Sequence, residues 1–395
     1  MERVIFLVDM NAFFIGCETV RDPSLKGVPA AVAGDPKNRS GIILAANYEA
    51  RSFGVRTTMT IYEALRLCPS LRLVPPDHEY YEQVSNKVMN TLSSYTPVME
   101  QNSIDEAWLD MTGCEPLFGK PLEAARKIMD DLYSNHGLMC SIGISENKFL
   151  AKMASDMKKP MGITEVWKSD IQHKLWPLPV SRMYGIGPQT TIKLNGLGIE
   201  TIGQLAHFSV GLLVERFGKY GLEIHRLANG IDDSPVKPHG EDEIKSISRS
   251  TTLSEDTTDI EYAKRVLLSL ADEVGMAARR HGKKGHTVQI TIKYSDFKSI
   301  TRQTKISPTC LTRDIYEAGR RLLETNWDIR LPVRLLGIGL SGFEEDEQIS
   351  IFEDLAGHRD AREEILERTA DRIRHKHGWS ILKPASLLQK NDTDH

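Results

Sequence analysis

Three acidic residues stand where the sequence otherwise predicts buried strands. Asp9 ends an apolar run that begins at Val4, and Asp105 and Glu106 are adjacent in a segment suited to a β-hairpin. Neighbouring carboxylates in an apolar strand repel each other and lose hydration, so a cation or strong hydrogen bonds must compensate them. Asp9 is equally suited to capping the helix that follows, and the adjacent pair to a solvated turn. An acid held rigidly at the end of a buried strand is also typical of active sites.

The elements that would position these acids belong to a first region of mixed α and β character. Up to about residue 166, short apolar runs alternate with helical patterns such as residues 80–95 and 121–135. From residue 167 to about 234 the strand pattern disappears, and glycines separate short helical segments. The segment DDSPVKPHGEDE that follows is rich in proline, charge and turn formers, which predicts a linker.

The region after the linker predicts a second α and β unit. Strands are expected at residues 244–253 and 333–340 and in the segments HTVQITIKY and KSITRQTKI, and helices at residues 260–281 and 311–326. This βαββαβ order is that of the ferredoxin-like split βαβ unit. In the tail beyond it, an amphipathic helix is predicted at residues 359–377, with Ile365, Leu366, Thr369 and Ile373 on one face.

Composition restricts the class of protein. A chain of 395 residues with 40% hydrophobic content is long enough for several domains. The five cysteines are scattered and show no CxxC spacing, which predicts neither a disulfide framework nor a zinc site and indicates a reducing cytoplasm. The sequence contains neither a signal-peptide core nor an apolar span of about 20 residues, so membrane insertion is not expected.

The charge distribution is uneven. The formal net charge of -4 argues against a nucleic-acid binder when it is taken alone. Residues 244–343, however, carry about +6, whereas residues 344–395 carry about -5. A basic module is therefore followed by an acidic tail.

Five segments resemble those of a known family in order and spacing. The family is the Y-family DNA polymerases, specifically the bacterial DNA polymerase IV group, and the segments are VDMNAFF, ANYEARSFGV, NSIDEAWLDM, SIGISENKFLAKMASDMKKPMG and GIGPQTTIKLNGLGI. The resemblance extends to about residue 352. It implies an α+β multidomain fold, with a ferredoxin-like palm, small fingers, a helical helix-hairpin-helix thumb and a βαββαβ little finger. The implied boundaries are palm 1–10 and 78–166, fingers 11–77, thumb 167–234, linker 235–243, little finger 244–343 and tail 344–395.

The resemblance assigns the three acids to a metal site. It implies that Asp9, Asp105 and Glu106 bind two Mg²⁺ ions, with the backbone carbonyl of Met10 as a further ligand; Mn²⁺ is a possible substitute. Hard divalent cations prefer carboxylate and carbonyl oxygens. Two such ions about 3.5 to 4 Å apart activate the primer 3′-hydroxyl and stabilise the pyrophosphate leaving group.

A second set of residues is implied to bind the incoming nucleotide. Phe14 matches the steric gate, a ring that collides with a ribose 2′-hydroxyl, and Phe13 matches a backbone N–H donor to the triphosphate. Tyr48 and Arg51 match residues that grip the β and γ phosphates, and Lys159 matches a lysine that reaches them from the palm. Without the resemblance, the phenylalanines are ordinary core residues and the basic residues a solvated face.

Three positions depart from the family pattern. Asn11 stands where Asp is frequent, Ala45 where a hydroxyl residue is usual, and Trp108 where Tyr is usual. Loss of the hydroxyl at Ala45 removes one phosphate donor, worth about 1 kcal/mol. None of the three removes a metal ligand.

Further segments are implied to bind DNA and a partner protein. Gly185 and Gly187 resemble a helix-hairpin-helix turn that presents backbone N–H groups to a DNA phosphate. The basic residues expected to contact phosphates in the little finger are Arg279, Arg280, Lys283 and Lys284. The peptide QISIF resembles the motif that binds the bacterial sliding clamp, through Gln348, Ile351 and Phe352; the alternative is that its apolar residues pack on the tail helix.

The predicted function is template-directed addition of deoxynucleotides (from dNTP) to a primer 3′ end on primer-template DNA. By resemblance, synthesis is expected to be low-fidelity translesion synthesis without proofreading, by a monomer in the cytoplasm. One alternative is a catalytically silent accessory protein that binds DNA and the clamp on the same scaffold. Another is a nucleotidyl cyclase, whose palm-like fold also uses paired acids and two metals.

Overall fold

The computed structural model describes residues 3–35, 41–238, 244–343, 354–378 and 381–382. The chain divides into two compact units. The first contains residues 3–35 and 41–238, and the second contains the remaining described residues. No helix within the described ranges is both long enough and apolar enough to cross a membrane.

The first part of the first unit contains two sheets and the helices that cover them. Its elements, in chain order, are β1 (Ile5–Met10), α1 (Phe13–Arg21), β2 (Ala30–Ala33), β3 (Ile43–Ala46), α2 (Tyr48–Ser52), α3 (Ile61–Leu67), β4 (Arg72–Val74), α4 (His78–Ser93), β5 (Met99–Gln101), β6 (Glu106–Asp110), α5 (Glu115–Phe118), α6 (Pro121–His136), β7 (Cys140–Ser145), α7 (Lys148–Met157) and β8 (Ile163–Glu165). The larger sheet has the order β5-β6-β1-β7-β8, and the smaller has the order β3-β2-β4.

Strand β1 lies at the centre of the larger sheet and is buried on both faces. Phe6 and Val8 belong to the core shared with α4 and α6, whereas Ile5 and Leu7 pack with Ala151 of α7 on the opposite face. A strand covered on both faces needs apolar side chains at every position rather than at alternate ones. The uninterrupted apolar run in the sequence therefore reflects helices on both sides of the sheet.

The rest of the first unit is helical. Its helices are α8 (Ile171–Lys174), α9 (Pro188–Asn195), α10 (Ile202–His207), α11 (Val210–Phe217) and α12 (Lys219–Ala228). They surround an apolar core that they share with α7 and that includes Leu194, Leu205, Leu213 and Ile224. The disappearance of strand patterns after residue 167 thus corresponds to a helical segment.

The second unit has the predicted βαββαβ order. Its elements are β9 (Ser246–Thr257), α13 (Ile260–Arg280), β10 (Gly285–Tyr294), β11 (Ser299–Thr309), α14 (Thr312–Asn326), β12 (Val333–Phe343) and the tail helix α15 (Asp354–His377). The sheet order is β11-β10-β12-β9 with every neighbouring pair antiparallel. Each helix connects two strands that have a third strand between them, so the split βαβ prediction is confirmed.

Candidate active site

One cavity of about 280 Å³ gathers the residues that the sequence predicted to bind metal or nucleotide. It is smaller than a cavity of about 750 Å³ beside Trp167 and Asp232, which none of the predicted residues lines. The predicted residues that line the smaller cavity are Asp9, Met10, Phe13, Phe14, Tyr48, Arg51, Asp105, Glu106 and Lys159. These residues come from β1, α1, α2, the start of β6 and the segment after α7, so the fold joins positions far apart in the chain.

Sheet register brings two of the acids together. Asp9 on β1 lies directly opposite Glu106 on β6. The backbone N–H of Met10 donates to the carbonyl of Asp105 at 2.9 Å, which extends the contact by one residue. Central strands are held rigidly, so the carboxylates at their ends have little freedom to separate.

A lysine that the sequence analysis did not identify lies between these acids. The Nζ atom of Lys152 is 3.1 Å from Asp9 Oδ2 and also contacts Glu106 Oε1. The Lys152 side chain is only 9% exposed. Its position on α7 depends on Gly143 of β7, because a Cβ there would lie 2.0 Å from the Ala151 carbonyl oxygen. The helix therefore approaches the sheet closely enough for the amine to reach both carboxylates.

A second lysine completes the neutralisation of Asp9. The Nζ atom of Lys159 lies 2.7 Å from Asp9 Oδ1 and 2.8 Å from Asp156 Oδ1. The segment that carries it is held by Asn11, whose Oδ1 accepts from the N–H of Met161 at 2.9 Å. The departure from Asp to Asn at this position thus retains an acceptor that orients Lys159.

The pKa shifts in the site have clear physical causes. Burial raises the pKa of Asp9, and its hydrogen bond with Glu106 raises it further. Burial also acts to raise the pKa of Glu106, but hydrogen bonds from Asp9 and Lys152 outweigh it and the pKa is lowered. The pKa of Lys152 is raised, although burial opposes this, because Asp9 and Glu106 stabilise the ammonium. Charge on Asp9 is thus disfavoured by burial and favoured by an adjacent cation, which is the electrostatic condition of a metal site.

The donor chemistry fits divalent metal ions, although the third acid is hydrogen-bonded to a neighbouring serine rather than to Lys152. Asp105 accepts a hydrogen bond from Ser103 Oγ at 2.6 Å. Among the described residues, no three His, Cys, Asp or Glu side chains are already gathered as a metal-binding group. Nevertheless, Asp9 and Glu106 share one cation, the Lys152 ammonium, and Asp105 lines the same cavity. Carboxylate oxygens converging on one space are the ligands that Mg²⁺ prefers.

The aromatic side of the cavity is rigid. The ring of Phe14 stacks on Tyr81 with 4.5 Å between centroids and an angle of 15°. It also meets the edge of His78 at 5.8 Å. Tyr81 is fully buried, and its hydroxyl donates to Glu18 at 2.8 Å. Phe14 is therefore held in one orientation by partners that are themselves fixed.

Helix α2 supplies the residues predicted to bind phosphates. Its N-cap Asn47 accepts hydrogen bonds from Ala50 N–H at 2.9 Å and from Ala30 N–H at 3.0 Å, which fixes the helix on β2. The hydroxyl of Tyr48 is buried and has no hydrogen-bond partner within the described part of the chain. The guanidinium of Arg51 lies 5.0 Å from the centroid of the Tyr48 ring. An orphaned buried hydroxyl beside a guanidinium is suited to an anionic ligand.

The predicted helix-hairpin-helix turn has an open backbone. Gly185 has a φ of 88°, which favours glycine, and Pro188 begins helix α9. A Cβ at Gly185 or Gly187 would meet nothing within 4 Å, so the backbone is accessible there. The turn is supported by Tyr220 of α12, whose hydroxyl donates to the Gly185 carbonyl at 2.7 Å.

The four basic residues predicted to contact DNA phosphates differ in exposure. Arg280 and Lys284 are exposed and Lys283 is half-buried. Arg279 is different: its side chain is 1% exposed and pairs with Glu367 and Asp371 of the tail helix. A guanidinium buried in this way is not available to a phosphate, so the structure does not place Arg279 with the other three.

The peptide with Gln348, Ile351 and Phe352, predicted to bind the clamp, lies outside the described residues.

Comparison with known proteins identifies relatives along nearly the whole chain. The impB/mucB/samB family matches residues 8–156, its C-terminal domain matches residues 244–351, and the helix-hairpin-helix motif of the IMS family matches residues 168–199. DNA polymerase IV of Clostridium kluyveri is 60% identical, over 99% of this chain and 100% of that protein. DNA polymerase IV of Alkaliphilus oremlandii is 56% identical, also over 99% and 100%.

A more distant relative and a solved structure belong to the same class of polymerase. DNA polymerase IV 1 of Bacillus subtilis is 40% identical, over 99% of this chain and 94% of that protein. A solved Y-family DNA polymerase chimera is similar with a TM-score of 0.77 and 27% identity, over 87% of this chain and 100% of its own. The α+β multidomain class and the resemblance predicted from the sequence are therefore confirmed.

Proposed function

Because the chain belongs to the Y-family DNA polymerases, in the DNA polymerase IV group, we propose that the cavity around Asp9 is its nucleotidyl-transfer site. Family membership makes the protein a translesion, DNA-directed DNA polymerase that acts on DNA and deoxynucleoside triphosphates with a divalent metal ion. The proposal concerns which residues perform the reaction. The catalytically silent alternative is not favoured, since all three acids are present.

The observation that carries the proposal is the convergence of nine predicted residues on one cavity of about 280 Å³. Asp9, Met10, Asp105 and Glu106 come from two strands paired in register and the residue beside them, while the other five residues come from three further segments. Sequence proximity does not explain this gathering. A site that joins carboxylates, a stacked aromatic ring and cations is suited to a metal-bound nucleoside triphosphate.

We assign two Mg²⁺ ions to Asp9, Asp105, Glu106 and the carbonyl of Met10. When bound, the ions would lower the pKa of the primer 3′-hydroxyl and neutralise the leaving pyrophosphate. The protein's own residues orient the carboxylates: the β1 and β6 pairing holds Asp9 and Glu106, and the Met10 hydrogen bond holds the Asp105 backbone.

The residues assigned to the nucleotide contact either its phosphates or its sugar. Tyr48, Arg51 and Lys159 would bind the triphosphate, and the orphaned Tyr48 hydroxyl supports this. Phe13, which directly follows the left-handed Ala12 and begins α1, would offer its backbone N–H. Phe14 would exclude a ribose 2′-hydroxyl, which its fixed stacking supports.

The DNA assignments rely on backbone and basic side chains. The accessible turn at Gly185 and Gly187 would bind a phosphate through N–H groups at the start of α9. In the second unit, Arg280, Lys283 and Lys284 would contact phosphates, and the burial of Arg279 removes it from this set. The palm, fingers, thumb and little finger keep the predicted boundaries in this proposal, with a monomeric chain in the cytoplasm.

Primer extension tests the active-site proposal directly. The wild-type protein with Mg²⁺ and dNTPs should extend a labelled primer on undamaged and damaged templates, and Asp105→Ala should not. Cyclic nucleotide formation without primer extension would instead support the cyclase alternative.

Lys152 provides a test of the metal site that does not depend on catalysis. Lys152→Met removes the buried cation that Asp9 and Glu106 share, and breaking such a pair costs about 3 kcal/mol. We expect this loss in free energy of unfolding in EDTA, and a clearly smaller loss in Mg²⁺, because the metal replaces the ammonium. Urea denaturation in both conditions measures it.

Lys148→Met is the matched control for this experiment. Lys148 lies one turn earlier on α7 and pairs with Glu100 at 2.6 Å, outside the cavity. Its loss should destabilise the protein equally in EDTA and in Mg²⁺. An equal loss for Lys152→Met in the two conditions would contradict the metal assignment.

We propose that residues 348–352 bind the sliding clamp, with Gln348 in one pocket and Ile351 and Phe352 in an apolar one. Deleting these residues should abolish stimulation of primer extension by the clamp and leave extension without the clamp unchanged. Replacing the neighbouring Glu345 and Asp346 by Ala is the control, which should retain stimulation. Full stimulation of the deletion variant would exclude this peptide.

A further inference from the structure

The described acidic residues of the tail helix α15 lie against its own domain. Glu363 accepts from Arg313 at 2.7 Å, and Glu364 lies 3.5 Å from Lys284. The next two acids are also paired: Glu367 accepts from the Thr312 backbone N–H, and the carboxylate of Asp371 receives two hydrogen bonds from Arg279 at 2.7 and 3.1 Å. All four carboxylates described on this helix therefore have partners.

Two buried arginines lie in the interface between α15 and its domain. The Arg279 side chain is 1% exposed and reaches the Cys310 carbonyl at 2.8 Å in addition to the tail acids. Arg374 of α15 is 7% exposed and pairs with Asp272 of α13 at 2.9 Å. Buried charges persist only with good partners, so these pairs fix which face of α15 lies against the domain.

Among the side chains of α15 that the structure describes, the opposite face carries cations and no acids. Successive helical residues are about 100° apart, which places Arg362, Arg372 and Lys376 within an arc of roughly 120°. The same arc contains the exposed apolar side chains of Ile365 and Leu366. The three cations are exposed and form no ion pair with any residue that the structure describes.

The distribution of charged residues on α15 differs from what the net charge of the tail predicts. Residues 344–395 carry a net charge of about -5, which predicts repulsion from DNA. The described acids of α15 pair within the domain, however, so the surface that residues 362–377 present to solvent is basic. Charge at a surface, rather than net charge of a segment, determines which partner it attracts.

The basic face adjoins further unpaired cations. Arg368 of α15 donates to the Arg279 carbonyl at 3.0 Å, which places the helix beside the end of α13. Arg280 and Lys283, immediately after Arg279, form no ion pair within the described ranges. Cations from two elements thus belong to one region of the second unit.

We propose that the outward face of α15 binds the phosphate backbone of duplex DNA, through Arg362, Arg372 and Lys376. Arg372 and Lys376 are one helical turn apart, about 6 Å along the axis, so both can face one DNA strand. The complementary charge and the established DNA substrate favour DNA over a protein as the occupant. The site is separate from the active-site assignment and does not depend on it.

Salt-dependent binding of the full-length protein to a labelled primer-template duplex tests the proposal. The variant Arg362→Gln, Arg372→Gln, Lys376→Gln should bind about tenfold or more weakly at 0.1 M salt, with a log-log salt slope smaller by about 2 to 3. Its kcat at saturating DNA should equal that of the wild type, which separates this result from a failure of the active-site proposal. Unchanged affinity and slope would overturn the proposal.

Two further variants make the result specific. Ile365→Gln, Leu366→Gln on the same face changes no charge, so the slope should stay at the wild-type value. The single variants Arg362→Gln and Lys376→Gln should each lower the slope by about one, which tests the proposal if the triple variant folds poorly. A slope that falls in the apolar variant, or in neither single variant, would contradict phosphate contact by these cations.

Discussion

Replacing Asp105 by alanine is expected to abolish primer extension, with a fall in kcat of about 10³-fold or more. The metal ions supply several kcal/mol of transition-state stabilisation, and about 4 kcal/mol corresponds to roughly a thousandfold in rate. Among the described residues no lysine pairs with Asp105, whereas Lys152 pairs with Asp9 and Glu106. Its carboxylate is therefore the one most available to a metal ion.

Loss of function through misfolding is separable from loss of the metal ligand. The only described hydrogen bonds of the Asp105 side chain and backbone N–H are to the Ser103 hydroxyl, so truncation disturbs little else. Asp110→Ala is the matched control, because Asp110 lies at the other end of β6 and outside the cavity. It should extend primers normally, and both variants should bind primer-template DNA. Normal extension by Asp105→Ala would refute the assigned site.

Replacing Phe14 by alanine is expected to admit ribonucleotides, with a loss of discrimination of roughly 10- to 100-fold. Forcing extra atoms into a filled space costs about 1 to 3 kcal/mol, which corresponds to this range. The clash is effective only if the ring cannot move aside. Stacking on Tyr81 at 4.5 Å, with Tyr81 tied to Glu18, holds it in place.

The ratio of kcat/KM for a dNTP and the matching rNTP measures this discrimination. Phe14→Leu should give an intermediate ratio, because it retains an apolar side chain against Tyr81 but is shorter than the ring. Phe14→Tyr keeps the ring and should exclude ribonucleotides as the wild type does. A ratio that stays at the wild-type value in Phe14→Ala would remove the gate assignment.

Much of the fold was predictable from local sequence patterns. The second unit has the predicted order of elements, and helix α13 begins at Ile260 as expected and ends at Arg280, within one residue of the prediction. Hydrophobic periodicity and turn residues act over a few positions, so they can be read directly from the chain. The acids were recognised for the same reason, since a charge in an apolar strand is a local anomaly.

The pairing of charges was not predictable in this way. Lys152 lies 143 residues from Asp9. In the sequence it cannot be distinguished from a solvent-exposed lysine in a helix. Arg279 was predicted to contact DNA because it belongs to a basic run in the little finger, yet its partners lie 88 and 92 residues away in the tail. The acidic composition of the tail likewise gave no sign that its helix presents a basic face.

The sequence by itself thus determined the elements, the candidate metal ligands and the family. The tertiary structure alone decided which cation balances each acid, which way the tail helix faces and what holds Phe14 still. The physical reason is range: periodicity and turn chemistry operate between neighbours in the chain, whereas ion pairing and ring stacking depend on distances of a few ångström between residues that only folding brings together.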